Sequence, residues 1–252
     1  MLDLAKIRED KTYAHVVPLA TFMMLNLVLV IIDDSGLKWD HPDAAWYQMT
    51  EHWFYPLQTL ICGAMLVFFW KHYDIKWDKR IIVGAVMGAV GIGFWILPTH
   101  LYTALGYTED TVGWLKHLGL DAREKGFSTN DMSNPVAIWT TTIFRFLRAA
   151  VVVAFVEEIF WRGFLMRFLL KMDGNYWKVP FGKFSWLTFA VTTLAFVFIH
   201  QSVDYAGAVV YGTLMYFVAV RTKSLAACIV MHGVSNLLMG LYALQYAKYG
   251  LW

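Results

Sequence analysis

Three short pieces of this chain, far apart in sequence, set ionisable side chains inside apolar stretches: Glu157-Glu158-Ile159-Phe160-Trp161-Arg162, Phe196-Val197-Phe198-Ile199-His200 and His232-Gly233-Val234-Ser235-Asn236. A charged residue in hydrocarbon costs on the order of 2.5–3.5 kcal/mol on insertion scales, so such residues are retained where they serve a shared polar site. On a helix, Glu158 and Arg162 stand four apart and can pair, which turns Glu157 about 100° away toward a different neighbour. Two carboxylates in two environments are what a site needs to keep one neutralised and leave the other as a base. His232 and Asn236 are also four apart and face one way, as donors to an oxyanion would. Taken singly, each piece has a plainer reading: an ion-pair network for the glutamates, an interfacial residue for His200, interhelical hydrogen bonding for His232 and Asn236.

A carboxylate desolvated in such a place can take a proton from water held jointly with a histidine, and the oxyanion donors suit peptide-bond hydrolysis. The chain has no His-Glu-x-x-His helix and no Gly-x-Ser-x-Gly turn. Glu157, His200 and His232 could also form a two-histidine, one-glutamate zinc set. Both the metal-free and the zinc routes are open on the residues alone.

The elements that would position these groups are membrane helices. Of 252 residues, 58% are hydrophobic, 17% aromatic and 16% charged, and the mean hydropathy is +0.48. Stretches of about 20 apolar residues, enough for a core of roughly 30 Å, fall near 15–32, 53–70, 80–98, 138–160, 186–200, 205–220 and 225–244. The expected fold is therefore all-α and polytopic, with about seven transmembrane helices (six to eight). Lys6, Arg8 and Lys11, then Lys71, Lys76, Lys79 and Arg80, then Arg167, Lys171, Lys178 and Lys183, then Arg221 and Lys223 occupy alternate loops. The opposite loops hold only Lys38, Lys116, Arg123, Lys125 and Lys248. This bias predicts a cytoplasmic N-terminus in the inner membrane. The first apolar run reads as a retained anchor, since Asp33-Asp34 follows it with no small-residue cleavage pattern. Cys62 and Cys228 lie in apolar runs and read as buried thiols.

Depth along the helices permits convergence. From the basic loops, His200 lies about 21 Å up, Asn236 about 18 Å, His232 about 12 Å and Glu157 about 21 Å, at 1.5 Å per residue. Asn134-Pro135 is a helix start, and no Gly or Pro follows until Gly163, so one helix could run from 135 to about 171. In the polar stretch 99–134, Thr108-Glu109-Asp110 followed by Val112, Trp114, Leu115 and Leu118 suggests a capped interfacial helix. Residues 1–134 read as anchor helices and a polar loop with no chemistry assigned, and 135–252 as the core that carries it.

Over about 140–240 the chain resembles the CAAX protease and bacteriocin-processing family of glutamate intramembrane proteases, which includes the type II CAAX endopeptidases. The likeness rests on Glu157-Glu158-Ile159-Phe160-Trp161-Arg162-Gly163, on Phe196 with His200, on His232 with Asn236, and on the lead-in Arg221-Thr222-Lys223-Ser224-Leu225. It implies a helical protease whose polar cavity is recessed from one membrane face. Glu157 would activate water with His200, Glu158 would assist, and His232 and Asn236 would hold the oxyanion. Arg162, with Phe196, would support the site. It also implies metal independence, with zinc as the alternative cofactor. Phe160 to Arg167 is similar to the exosortase-associated subgroup. The expected partners are a protein or peptide substrate at the membrane and the bilayer itself, with no nucleic acid; oligomeric state and prenylation of the substrate are left open. A nonproteolytic scaffold or chaperone of the same fold is the competing function, and a transporter a weaker one, for the chain lacks paired broken helices and repeat halves.

Overall fold

A computed structural model describes residues 4–34, 50–129 and 132–252, the side chains of 33 and 34 excepted. Lys38 of the loop-charge pattern lies outside the described residues, and so do the side chains of Asp33 and Asp34. The protein is an all-α polytopic membrane protein. Its main α-helices are α1 (Lys11–Asp34), α2 (Thr50–Phe68), α3 (Arg80–Ala104), α4 (Pro135–Phe146), α5 (Ala154–Glu158), α6 (Trp186–Phe198), α7 (Tyr205–Thr222) and α8 (Leu225–Tyr246). Among the described residues four helical stretches are long and apolar enough to cross a membrane: Lys11–Ile32, Arg80–Ala104, Ser202–Thr222 and Leu225–Tyr246. Of the remaining expected spans, 53–70 falls on the continuous 19-residue α2, which is less apolar, and the other two are interrupted or short. Trp186–Phe198 has 13 residues, about 20 Å of helix, well short of a hydrocarbon core.

The chain packs as two compact units, residues 1–73 with 127–160, and 74–126 with 161–252. In the first, Asn134 caps α4, its side-chain oxygen accepting from Val136 N at 2.9 Å and Ala137 N at 3.4 Å, with Pro135 in the first turn. The helical path then widens into a π-helix over Leu147–Val153 before α5, and a second π-helix follows over Ile159–Leu165. The single helix expected from 135 to 171 is thus segmented, and helix ends at Phe168. Arg148, on the first π segment, bonds to side-chain amides among the described residues. Its guanidinium donates to Gln58 Oε1 and, at 2.9 Å, to Asn26 Oδ1, and it lies over the rings of Tyr55 and Phe22 at 4.5 and 5.0 Å. Gln58, wholly buried, donates in turn to Phe22 O at 3.0 Å and Asn26 Oδ1 at 2.8 Å. Amide acceptors and aromatic faces compensate the buried cation here.

The second unit is built on close helix contacts. An added Cβ on Gly84 would stand 2.1 Å from Ala227 O, and one on Gly88 2.5 Å from Met231 O, so α3 and α8 touch backbone to backbone. Small residues at four-residue spacing are how apolar helices approach without a hydrophobic drive. Arg80 fastens the start of α3, donating Nη1 to Thr222 O at 3.0 Å at the end of α7. Cys62 and Cys228 are both buried, as expected. The interfacial helix expected after Thr108 is a single α turn, Glu109–Val112, because Gly113 takes a positive φ of 49° and the chain continues as a 3₁₀ helix to Leu118. Its start is as expected: Thr108 N donates to Thr111 Oγ1 at 2.8 Å.

Gly84→Val is expected to destabilise the protein by about 1–3 kcal/mol or more, since the obstructing atom is backbone. Gly93→Ala, on the same helix with nothing within 4 Å of the new Cβ, is expected to stabilise it by about 0.4–1 kcal/mol. Thermal unfolding in detergent distinguishes the two. Just before α3, hydrogen bonds from the Arg80 side chain and backbone N–H bring the Asp78 carboxyl down to about 2. A depressed carboxyl stabilises above its ordinary value near 3.9 and loses that contribution as pH falls toward the folded value. An NMR titration of Asp78 is therefore expected to show its midpoint near 2 in the wild type and a higher one, still below the ordinary carboxyl value, in Arg80→Gln, which keeps the backbone N–H donor.

Candidate active site

A cavity of about 100 Å³ lies within the second unit, and three of the residues singled out by sequence, His200, His232 and Asn236, line it together with Phe196. The other walls are Ile92 and Trp95 of α3, Asp204, Tyr211 of α7, Ser235 and Met239 of α8, and Leu251. Its volume is that of a few water molecules, at about 30 Å³ each in the liquid.

His200 stands just past α6, whose C-cap is Ile199, and its backbone N–H bonds Val197 O at 3.1 Å. Its ring Nδ1 is 2.7 Å from Phe196 O. A carbonyl only accepts, so Nδ1 carries the proton in this bond and neutral His200 keeps its lone pair on Nε2. Two rings hold the imidazole, Phe196 with centroids 4.5 Å apart and Trp95 at 5.3 Å, edge-on at 63°. Phe196 is itself buried and packs beneath the guanidinium of Arg162, 5.8 Å from its ring centroid. Arg162, also buried, lies on the π segment Ile159–Leu165.

His232 and Asn236 lie one turn apart on α8, His232 buried and Asn236 half-buried. Tyr211 meets the His232 ring at 6.4 Å, and its hydroxyl donates to Ser235 Oγ at 2.9 Å. Ser235 Oγ is in reach of Gly88 O at 3.0 Å and Met231 O at 2.9 Å, one of which takes its single proton. This chain of bonds locks the helical turn that carries His232 and Asn236 against α3 and α7. Ser235 thus serves a helix contact.

Glu157 and Glu158 belong to the first unit, where α5 buries both and Glu158 is wholly inaccessible. The short α5 is flanked by two π-helices. Such widened turns recur at functional sites because they re-aim side chains that a regular helix would direct elsewhere.

Sequence reasoning assigned no chemistry to 1–134 and so passed over Trp95. The signal was present: Gly84, Gly88, Gly91 and Trp95 follow one another at four, three and four residues, a single helical stripe. An added Cβ on Gly91 would come within 2.8 Å of the Tyr211 ring, which shows that the stripe faces the cavity helices. Asp204 gave no pattern, being a lone acid in a short turn.

Tyr211→Phe and Ser235→Ala are each expected to cost about 1–3 kcal/mol in unfolding, and the double variant less than their sum by about 0.5 kcal/mol or more. Strict additivity in the double-mutant cycle would mean the two hydroxyls do not act as one chain.

A family model described as Type II CAAX prenyl endopeptidase Rce1-like matches residues 139–238. No curated protein and no solved structure matches the chain. The matched stretch takes in Glu157, Glu158, Arg162, Phe196, His200, His232 and Asn236, and leaves α3 with its Trp95 outside.

Proposed function

We propose, on the match of residues 139–238 to the Rce1-like type II CAAX prenyl endopeptidase model, that this integral membrane protein hydrolyses a peptide bond of a membrane-associated protein or peptide, using water activated by Glu157 and His200. The observation that carries the reading is the cavity lined by His200, His232 and Asn236, with the His200 lone pair on Nε2. In the proposed step, His200 Nε2 accepts a hydrogen bond from the water and Glu157 takes its proton as the oxygen attacks the carbonyl carbon. His232 and Asn236 donate to the oxyanion. Collapse of the tetrahedral intermediate breaks the C–N bond, and the proton held by Glu157 passes to the leaving amine. Glu158 assists and pairs with Arg162 on their four-residue spacing. Residues 135–252 carry this chemistry and 1–134 anchor it. The charge bias of the loops supports an inner-membrane protein with a cytoplasmic N-terminus.

The alternative route is a zinc ion held by Glu157, His200 and His232, although among the described residues no three His, Cys, Asp or Glu side chains stand together as a ready metal site. A histidine that ligates a metal through one nitrogen commonly donates the other N–H to a carbonyl, and the His200 bond to Phe196 O suits that role. Bound there, zinc would lower the pKa of its water and polarise the carbonyl.

The test uses the purified protein in liposomes with an internally quenched peptide ending in a CAAX-type sequence, offered farnesylated and unprenylated. Glu157→Gln and His200→Ala are each expected to abolish cleavage while inserting and unfolding like the wild type. Full activity in Glu157→Gln would remove the proposed base. Chelation is expected to leave the rate unchanged, whereas loss reversed by added zinc would select the metal route. Capture of the peptide without any cleavage by the wild type would favour the scaffold reading.

A further inference from the structure

Trp95 lies outside the matched family stretch, yet its indole is held on more than one side at the cavity wall. Its Nε1–H donates to Asp204 Oδ1 at 3.0 Å. The same carboxylate oxygen is ion-paired with Arg123, whose side chain is 5% exposed and that of Asp204 14%. Arg123 is fixed in turn: its Nη1 donates to Gly250 O at 2.9 Å, and its carbonyl accepts from Gly250 N at 2.8 Å. Beneath the indole lies Gly207, where an added Cβ would stand 2.9 Å from Trp95 Cδ2. The ring edges meet His200 at 5.3 Å and Tyr211 at 5.9 Å.

We propose that Trp95, anchored through its indole N–H to Asp204, is a positioning residue that holds the His200 imidazole in one orientation and one tautomer. His200 needs such a clamp because it stands past the last residue of α6. The bond from Nδ1 to Phe196 O fixes one ring atom, and a swing about it would carry Nε2 away from the cavity. Phe196 and Trp95 together limit that swing. A tryptophan that merely filled space would not require a glycine beneath it and a carboxylate at its N–H, itself held by a buried arginine.

The inference rests on the proposed function, in which His200 holds the reactive water. It is tested on the full chain in nanodiscs by selective ¹⁵N-histidine NMR together with cleavage kinetics on the quenched peptide. The His200 signals are assigned by their loss in His200→Gln. Trp95→Phe keeps an aromatic ring and removes the N–H, and Gly207→Ala displaces the indole while keeping it. Both are expected to turn the single Nδ1–H pattern of His200 into a mixture of tautomers, and to lower kcat roughly ten- to hundredfold with KM changed by less than about twofold. An unchanged His200 spectrum and unchanged kcat in both variants, with Glu157→Gln inactive, would overturn the positioning role and leave the proposed function intact. A wild type that cleaves nothing, but whose His200 tautomer shifts in both variants, would sustain the clamp and overturn the hydrolytic reading.

Discussion

Backbone contact between α3 and α8 fixes where each side chain of the second unit's cavity can stand. With Gly84 and Gly88 against the carbonyls of Ala227 and Met231, neither helix can slide or rotate by much without collision. From the same two helices, α8 presents His232 and Asn236, and α3 presents Ile92 and Trp95, to one space. Ser235, caught between them, bonds back to α3 and to Tyr211 of α7. The apolar helices thus register against each other by shape and by a few hydroxyl bonds, as membrane helices must when burial in lipid offers no drive to associate.

Within that frame each unit answers the cost of buried charge separately. Arg148 in the first is solvated by Asn26, Gln58 and two aromatic faces. In the second, Arg123 and Asp204 neutralise each other, and each makes a further bond, Arg123 to Gly250 and Asp204 to Trp95. Removing one partner of such a pair leaves the other charge uncompensated, which costs far more than the pair contributes. These networks therefore fix geometry more than they add stability, and the geometry they fix in the second unit is that of the cavity wall.

Much of this was legible in the residues. Four of the expected spans, the Asn134-Pro135 start, the capped turn at Thr108 and the joint placement of His200, His232 and Asn236 follow from periodicity, cap chemistry and spacing. The segmentation of the 135–168 helix was not, because π-helical turns over Leu147–Val153 and Ile159–Leu165 have no composition of their own. The contribution of α3 was missed for a different reason. Its stripe of glycines ending in Trp95 carries no ionisable group, and a search led by charge passes over residues that act by holding others still. Asp204 and Arg123 are 81 positions apart, and a pair at that distance is set by tertiary packing alone.

The central claim is that a peptide carbonyl is held in the cavity beneath His232 and Asn236 while water attacks it beside His200. It is tested most directly by steady-state kinetics of Asn236→Ala and His232→Ala on the liposome-bound quenched peptide. The account predicts kcat lowered about 10²- to 10³-fold in each, as for loss of one oxyanion donor, with KM close to that of the wild type. A wild-type kcat in both variants would contradict it.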